Sequence, residues 1–113
     1  MCRICRDSNL NAREDSEHLK GLIHQIINKM KPKRIILFGS RARNDYHKNS
    51  DIDLLIVGDY QKRFFDRIAQ VLELNTTPFD LEPLIYNDDE LNRMKNRPFI
   101  KHILLTGIDV YHE

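Results

Sequence analysis

Two carboxylates, Asp51 and Asp53, stand two residues apart at the head of an apolar run, Leu54-Leu55-Ile56-Val57. Separated from Asp51 by ten residues, a second apolar run, Ile35-Ile36-Leu37-Phe38, ends in Gly39-Ser40, and Arg41 and Arg43 follow. If both runs are strands, the two acids share one face, with Cα atoms roughly 6.6 Å apart. Carboxylates held side by side suit hard divalent cations, which take oxygen ligands. A Gly-Ser turn followed by arginines suits phosphate, through backbone N–H groups and planar guanidinium donors. Metal ligands beside a phosphate cradle point to phosphoryl or nucleotidyl transfer.

The strings GSRAR at 39–43 and SDIDLLIVG at 50–58 resemble the signature of the minimal nucleotidyltransferases, the smallest branch of the DNA polymerase β-like superfamily. The resemblance covers about residues 19–111. It implies that Gly39 and Ser40 hold the triphosphate of a nucleotide, with help from Arg41 and Arg43. It implies one or two Mg²⁺ ions on Asp51 and Asp53, and ATP as the substrate. The third carboxylate of the family stands at a strand start, which here is Asp80, the candidate general base and further metal ligand. Glu82, on the same face and one pleat deeper, competes with it. The family usually has a glycine where Asn44 stands, and asparagine tolerates positive φ well.

The resemblance further implies a partner. Chains of this kind are often the antitoxin of a pair with a helical HEPN-type ribonuclease toxin, to one of whose tyrosines they transfer AMP. Two other readings share the fold: a docking antitoxin with a vestigial nucleotide site, and a small-molecule nucleotidyltransferase of the aminoglycoside type. Fold alone does not separate them.

These residues need elements to position them. Leu19, Leu22, Ile23, Ile26, Ile27 and Met30 recur at helical spacing, predicting an amphipathic helix over 16–31 that Pro32 stops. Strands are expected at 33–38 and 51–57, the second apolar on both faces as a covered central strand is. A helix over 60–75 is expected to bury Phe64, Phe65, Ile68, Ala69, Val71 and Leu72, with Arg67 on its wet side. A third strand over 79–86 contains Pro83, which cannot donate to a ladder and so marks a free edge. Asn87 or Asp88 caps a short helix, Pro98 opens another over 99–106 with Phe99 packed, and 108–111 closes the chain as a strand. The expected fold is α/β (α+β): a small mixed β-sheet of three to four strands flanked by helices.

The 113 residues suit one domain, assigned to 15–113 after a flexible arm at 1–14. A formal net charge of +1 argues against a general nucleic-acid binder. No run is long and apolar enough for a membrane span, and no secretory signal pattern is visible, so a cytoplasmic location is expected. Cys2 and Cys5 form a lone C-x-x-C with no second pair, and a frayed terminus is preferred to a metal site. Edge strands leave room for a homodimer or a heterocomplex.

Overall fold

A computed structural model describes residues 13–39, 51–61 and 63–113, with side chains from 17 onward. The order is α1 (Arg13–Met30), β1 (Arg34–Phe38), β2 (Ile52–Val57), α2 (Phe64–Glu73), β3 (Leu81–Tyr86), α3 (Asp88–Met94), α4 (Pro98–Thr106) and β4 (Ile108–His112). Among the described residues the sheet has four strands in the order β3-β2-β1-β4. β1 runs antiparallel to both β2 and β4, while β2 and β3 are parallel. The sheet is therefore mixed, as expected, and Pro83 sits on an edge strand. The arm assigned to 1–14 lies outside the described residues up to 12, as do Cys2 and Cys5. Helix α1 is already formed at Arg13, three residues before its expected start.

Strand alternation sends two sets of side chains to opposite faces. Ile35 and Leu37 of β1 and Ile52, Leu54 and Ile56 of β2 meet Leu19, Leu22, Ile23, Ile26 and Met30 of α1. Each such side chain, fully withdrawn from water, contributes roughly 1.5–3 kcal/mol before entropy is counted. Ile36, Leu55, Val57 and Tyr86 face the other way and are covered by Ile100 and Ile103 of α4, with Leu91 and Met94 of α3 against them. The central strands are thus dry on both faces. α1 ends where Lys31 takes a left-handed φ of 49°, its N–H donating to the Ile27 carbonyl at 3.1 Å, and Pro32 follows.

Helix α2 is shorter than expected and turned differently. Its buried face is Arg67 and Val71, with Phe64 and Ile68 half-buried beside them. Phe65 is 80% exposed and Leu72 44% exposed, so neither joins the core as expected. The reason is Arg67, which is 5% exposed. Its Nη1 reaches Glu90 Oε1 at 2.5 Å and donates to the Ile85 carbonyl at 3.3 Å, and Nη2 donates to the Tyr60 carbonyl at 3.3 Å. A helix with two apolar arcs has turned so that a guanidinium finds partners. Phe64 stacks on Tyr86, ring centroids 5.7 Å apart.

α3 carries a reciprocal capping box. The Glu90 N–H donates to Asn87 Oδ1, and Glu90 Oε1 accepts from the Asn87 N–H, each at 2.9 Å. α4 starts at Pro98 and ends at Gly107, whose N–H donates to the Ile103 carbonyl at 2.8 Å. A Cβ on Gly107 would run into the Ile36 side chain and the Ile103 carbonyl. The missing side chain lets α4 lie close on β1, and Ile100 packs into that contact while Phe99, expected to pack, is 60% exposed.

Candidate active site

The sheet register lines up three residues from three adjacent strands. Asp53 of β2 is the Cα partner of Glu82 on β3 and also of Phe38 on β1. The row Glu82, Asp53, Phe38 crosses the face that α4 covers, with neighbouring strands roughly 4.8 Å apart. Parallel pairing thus brings together two acids that are far apart in sequence. Asp51 and Asp80 stand one residue ahead of β2 and β3, and the Ile52 N–H donates to the Asp80 carbonyl at 2.8 Å. Four carboxylates therefore occupy two successive levels at the mouth of two adjacent strands, Asp53 with Glu82 inside and Asp51 with Asp80 outside.

Gly39 follows Phe38 with φ of +76°, a conformation open chiefly to glycine. A Cβ there would overlap the carboxylate of Asp53. Backbone and carboxylate are in contact at the point where β1 leaves the sheet. Beside them lies a cleft of about 280 Å³, lined by Phe38, Gly39, Asp53 and Glu82 from the sheet and by Phe99, His102, Ile103 and Thr106 from α4. The sheet wall carries two acids, and the α4 wall mixes apolar Phe99 and Ile103 with polar His102 and Thr106. The Thr106 hydroxyl donates to the His102 carbonyl at 2.8 Å, which leaves the His102 imidazole as a polar group that α4 turns to the cleft.

Of the residues marked by the sequence, Gly39, Asp51 and Asp53 are gathered at one end of β1 and β2. Asp80 and Glu82 are both exposed, but Asp80 does not line the cleft, whereas Glu82 does. Ser40, Arg41, Arg43 and the turn through Ser50 lie outside the described residues. Sequence reasoning missed Phe38, His102 and Thr106, and gave Phe99 to the core. The available signal was helical spacing: Phe99, His102 and Thr106 recur at i, i+3 and i+7, one stripe of α4, beside the buried Ile100 and Ile103.

The donor set is chemically suited to a hard cation. Asp53 and Glu82 are adjacent oxygen donors, backed by a glycine too close for a side chain. Among the described residues no group of three or more His, Cys, Asp or Glu side chains is gathered closely enough to hold a metal ion. Two protein carboxylates, with the remaining positions open to water and phosphate oxygens, are what a Mg²⁺ ion ordinarily takes.

The family model described as polymerase β nucleotidyltransferase matches residues 20–113. The chain belongs to that family. It is a nucleotidyltransferase of the polymerase β-like kind, and the minimal nucleotidyltransferases fit it. A Methanocaldococcus jannaschii protein named "putative protein adenylyltransferase" is 35% identical over 81 residues, covering 70% of this chain and 78% of that one. The crystal structure of a chain titled "putative nucleotidyltransferase", from Sulfolobus solfataricus, aligns with a TM-score of 0.60 at 23% identity. That alignment covers 86% of this chain and 79% of the other, and it bears on the fold. Among the described residues no helix is long and apolar enough to cross a membrane.

Proposed function

We propose that this nucleotidyltransferase moves AMP from ATP to a hydroxyl of a protein, a tyrosine of a helical HEPN-type ribonuclease toxin, and so acts as an antitoxin. The observation that carries the transfer chemistry is the Asp53–Glu82 register pair beside Gly39. The protein acceptor draws support from the name of the Methanocaldococcus relative. The toxin and the tyrosine draw support from the resemblance of the GSRAR and SDIDLLIVG strings.

Asp53 and Glu82 would hold Mg²⁺, with its remaining positions open to water and phosphate oxygens. A cation bound there neutralises phosphate charge and lowers the proton affinity of an attacking hydroxyl. Gly39 lets the nucleotide phosphates approach the backbone, and Ser40, Arg41 and Arg43 are proposed to grip them. The acceptor oxygen forms a bond to the α-phosphorus as the bond from that phosphorus to the pyrophosphate oxygen breaks. The acceptor proton passes to a carboxylate, and pyrophosphate departs with the electron pair. Of the two candidates for that base, Glu82 is the better placed, because it lines the cleft beside Asp53 while Asp80 lies one level out.

The test is transfer of label from α-³²P-ATP with Mg²⁺ to a candidate helical partner, run beside an Asp51→Ala/Asp53→Ala double variant. Label on a partner tyrosine, lost in the variant, is the expected result. Tight partner binding with no label and no metal-dependent nucleotide binding would instead identify a docking antitoxin.

A further inference from the structure

The cleft has an aromatic side that the transfer chemistry leaves unused. Phe99 is 60% exposed although its helix neighbours Ile100 and Ile103 are 3% and 1% exposed. Its ring meets that of Phe38 edge to face, centroids 6.0 Å apart at 75°. Phe38 is thereby braced from one side by Phe99 and fixed from the other by its place in β1. An exposed phenylalanine held by a second ring at the rim of an acidic cleft offers a flat apolar surface to a ligand that is charged at one end and planar at the other. Nucleotides are built that way.

We propose that Phe99, backed by Phe38, is the platform on which the nucleobase of the bound nucleotide stacks. This rests on the nucleotidyl-transfer reading given above. The order of residues across the sheet decides between the two planar groups that could enter, the base and an aromatic acceptor. In the row Glu82, Asp53, Phe38 the aromatic pair lies on the side of Asp53 that continues into Gly39, where the nucleotide phosphates are proposed to rest. Glu82, the proposed base toward the acceptor, lies on the opposite side. A nucleotide with its α-phosphate at Asp53 extends its base toward Phe38 and Phe99, and the acceptor approaches from β3. Stacking accepts any base, because every base has a π-face. Of the α4 side chains lining the cleft, the Thr106 hydroxyl is already committed to the His102 carbonyl. Reading of the base edge would therefore fall to His102 and to the acceptor lone pairs left on Thr106.

The platform is tested by calorimetric titration of the full chain in Mg²⁺ with two probes, ATP and inorganic tripolyphosphate, which share the phosphate chain and differ in the base. Phe99→Ala is expected to weaken ATP roughly tenfold or more, in the range seen for loss of one base-stacking ring, and to leave tripolyphosphate unchanged. The chain has no tryptophan, so Phe99→Trp introduces a single indole. That variant is expected to keep ATP affinity, and its fluorescence to be quenched by ATP and not by tripolyphosphate. Wild-type affinity for both probes in Phe99→Ala overturns the platform and leaves the nucleotidyl-transfer reading standing. Equal weakening of both probes overturns it too, since a stacking contact touches ATP alone. Binding of neither probe by the wild-type chain overturns the transfer reading and the platform together.

Discussion

Gly39 and Asp53 are in contact such that neither position tolerates growth at the other's expense: the space a Cβ would take on Gly39 is filled by the Asp53 carboxylate. The backbone at Gly39 is also left-handed, with φ of +76°. Sterics and dihedral preference therefore demand the same residue at the same place. Gly39→Ala is expected to displace Asp53 and to lower transfer by roughly a hundredfold, the scale of a misplacement of about 1 Å at a reacting centre. The fold is expected to lose only about 1–2 kcal/mol, the cost of a left-handed alanine. Transfer rates and thermal melts of the same preparation check both. Full activity in a stable Gly39→Ala protein would show that the contact has no catalytic consequence.

The parallel β2–β3 pairing separates the two candidate bases. Glu82 pairs with Asp53, and Asp80 precedes the ladder. Glu82→Gln is expected to reduce kcat by about 10²–10⁴-fold, the usual worth of a positioned proton acceptor. Asp80→Asn is expected to cost far less. Single-turnover transfer at saturating ATP measures both, and a larger loss from Asp80→Asn would reverse the assignment.

Much of this arrangement was legible in the chain. The stripe from Leu19 to Met30 specified α1, and the apolar runs on either side of residues 39–53 specified β1 and β2, because period and burial agree there. Asp80 and Glu82 were both visible as acids on one face of one strand. Which of them meets Asp53 was not, because it depends on β2–β3 register, a tertiary property that one-residue slips invert. Helix α2 failed for a related reason. Phe65, Ala69 and Leu72 make as good an apolar arc as Phe64, Ile68 and Val71, and the choice fell to Arg67, whose partners Glu90 and the Ile85 and Tyr60 carbonyls come from other segments.

Arg67 is consequently expected to matter for stability out of proportion to a charged residue. Its guanidinium is buried and bonds Glu90 and the Ile85 and Tyr60 carbonyls, so Arg67→Met takes a charged partner from Glu90, which keeps the Asn87 N–H, and a donor from each carbonyl. A loss of about 3 kcal/mol is expected, as for removal of one partner from a buried ion pair. Arg67→Lys is expected to recover little, since one ammonium cannot serve a fork of separate acceptors. Urea unfolding followed by circular dichroism gives both values. A Met variant as stable as the wild type would mean that packing alone holds α2.

Glu90 links the same network to pH. Burial acts to raise its pKa, but the Asn87 N–H and then the hydrogen bond and charge of Arg67 outweigh it, and the carboxyl lies below its ordinary 4.5. The folded protein thus binds fewer protons here than the unfolded chain does. The associated stability is fully present above 4.5 and is lost as pH falls from there through the lower folded-state value. Glu90→Gln keeps an acceptor for the Asn87 N–H and removes the titration. The variant is expected to be less stable at neutral pH, and its deficit relative to wild type is expected to shrink on acidification below 4.5. Unfolding free energies of the two proteins, taken at matched pH values, measure that difference directly. A deficit that stays constant through the acid range would mean that Arg67 gains nothing from the charge on Glu90 and holds it as a neutral acceptor would.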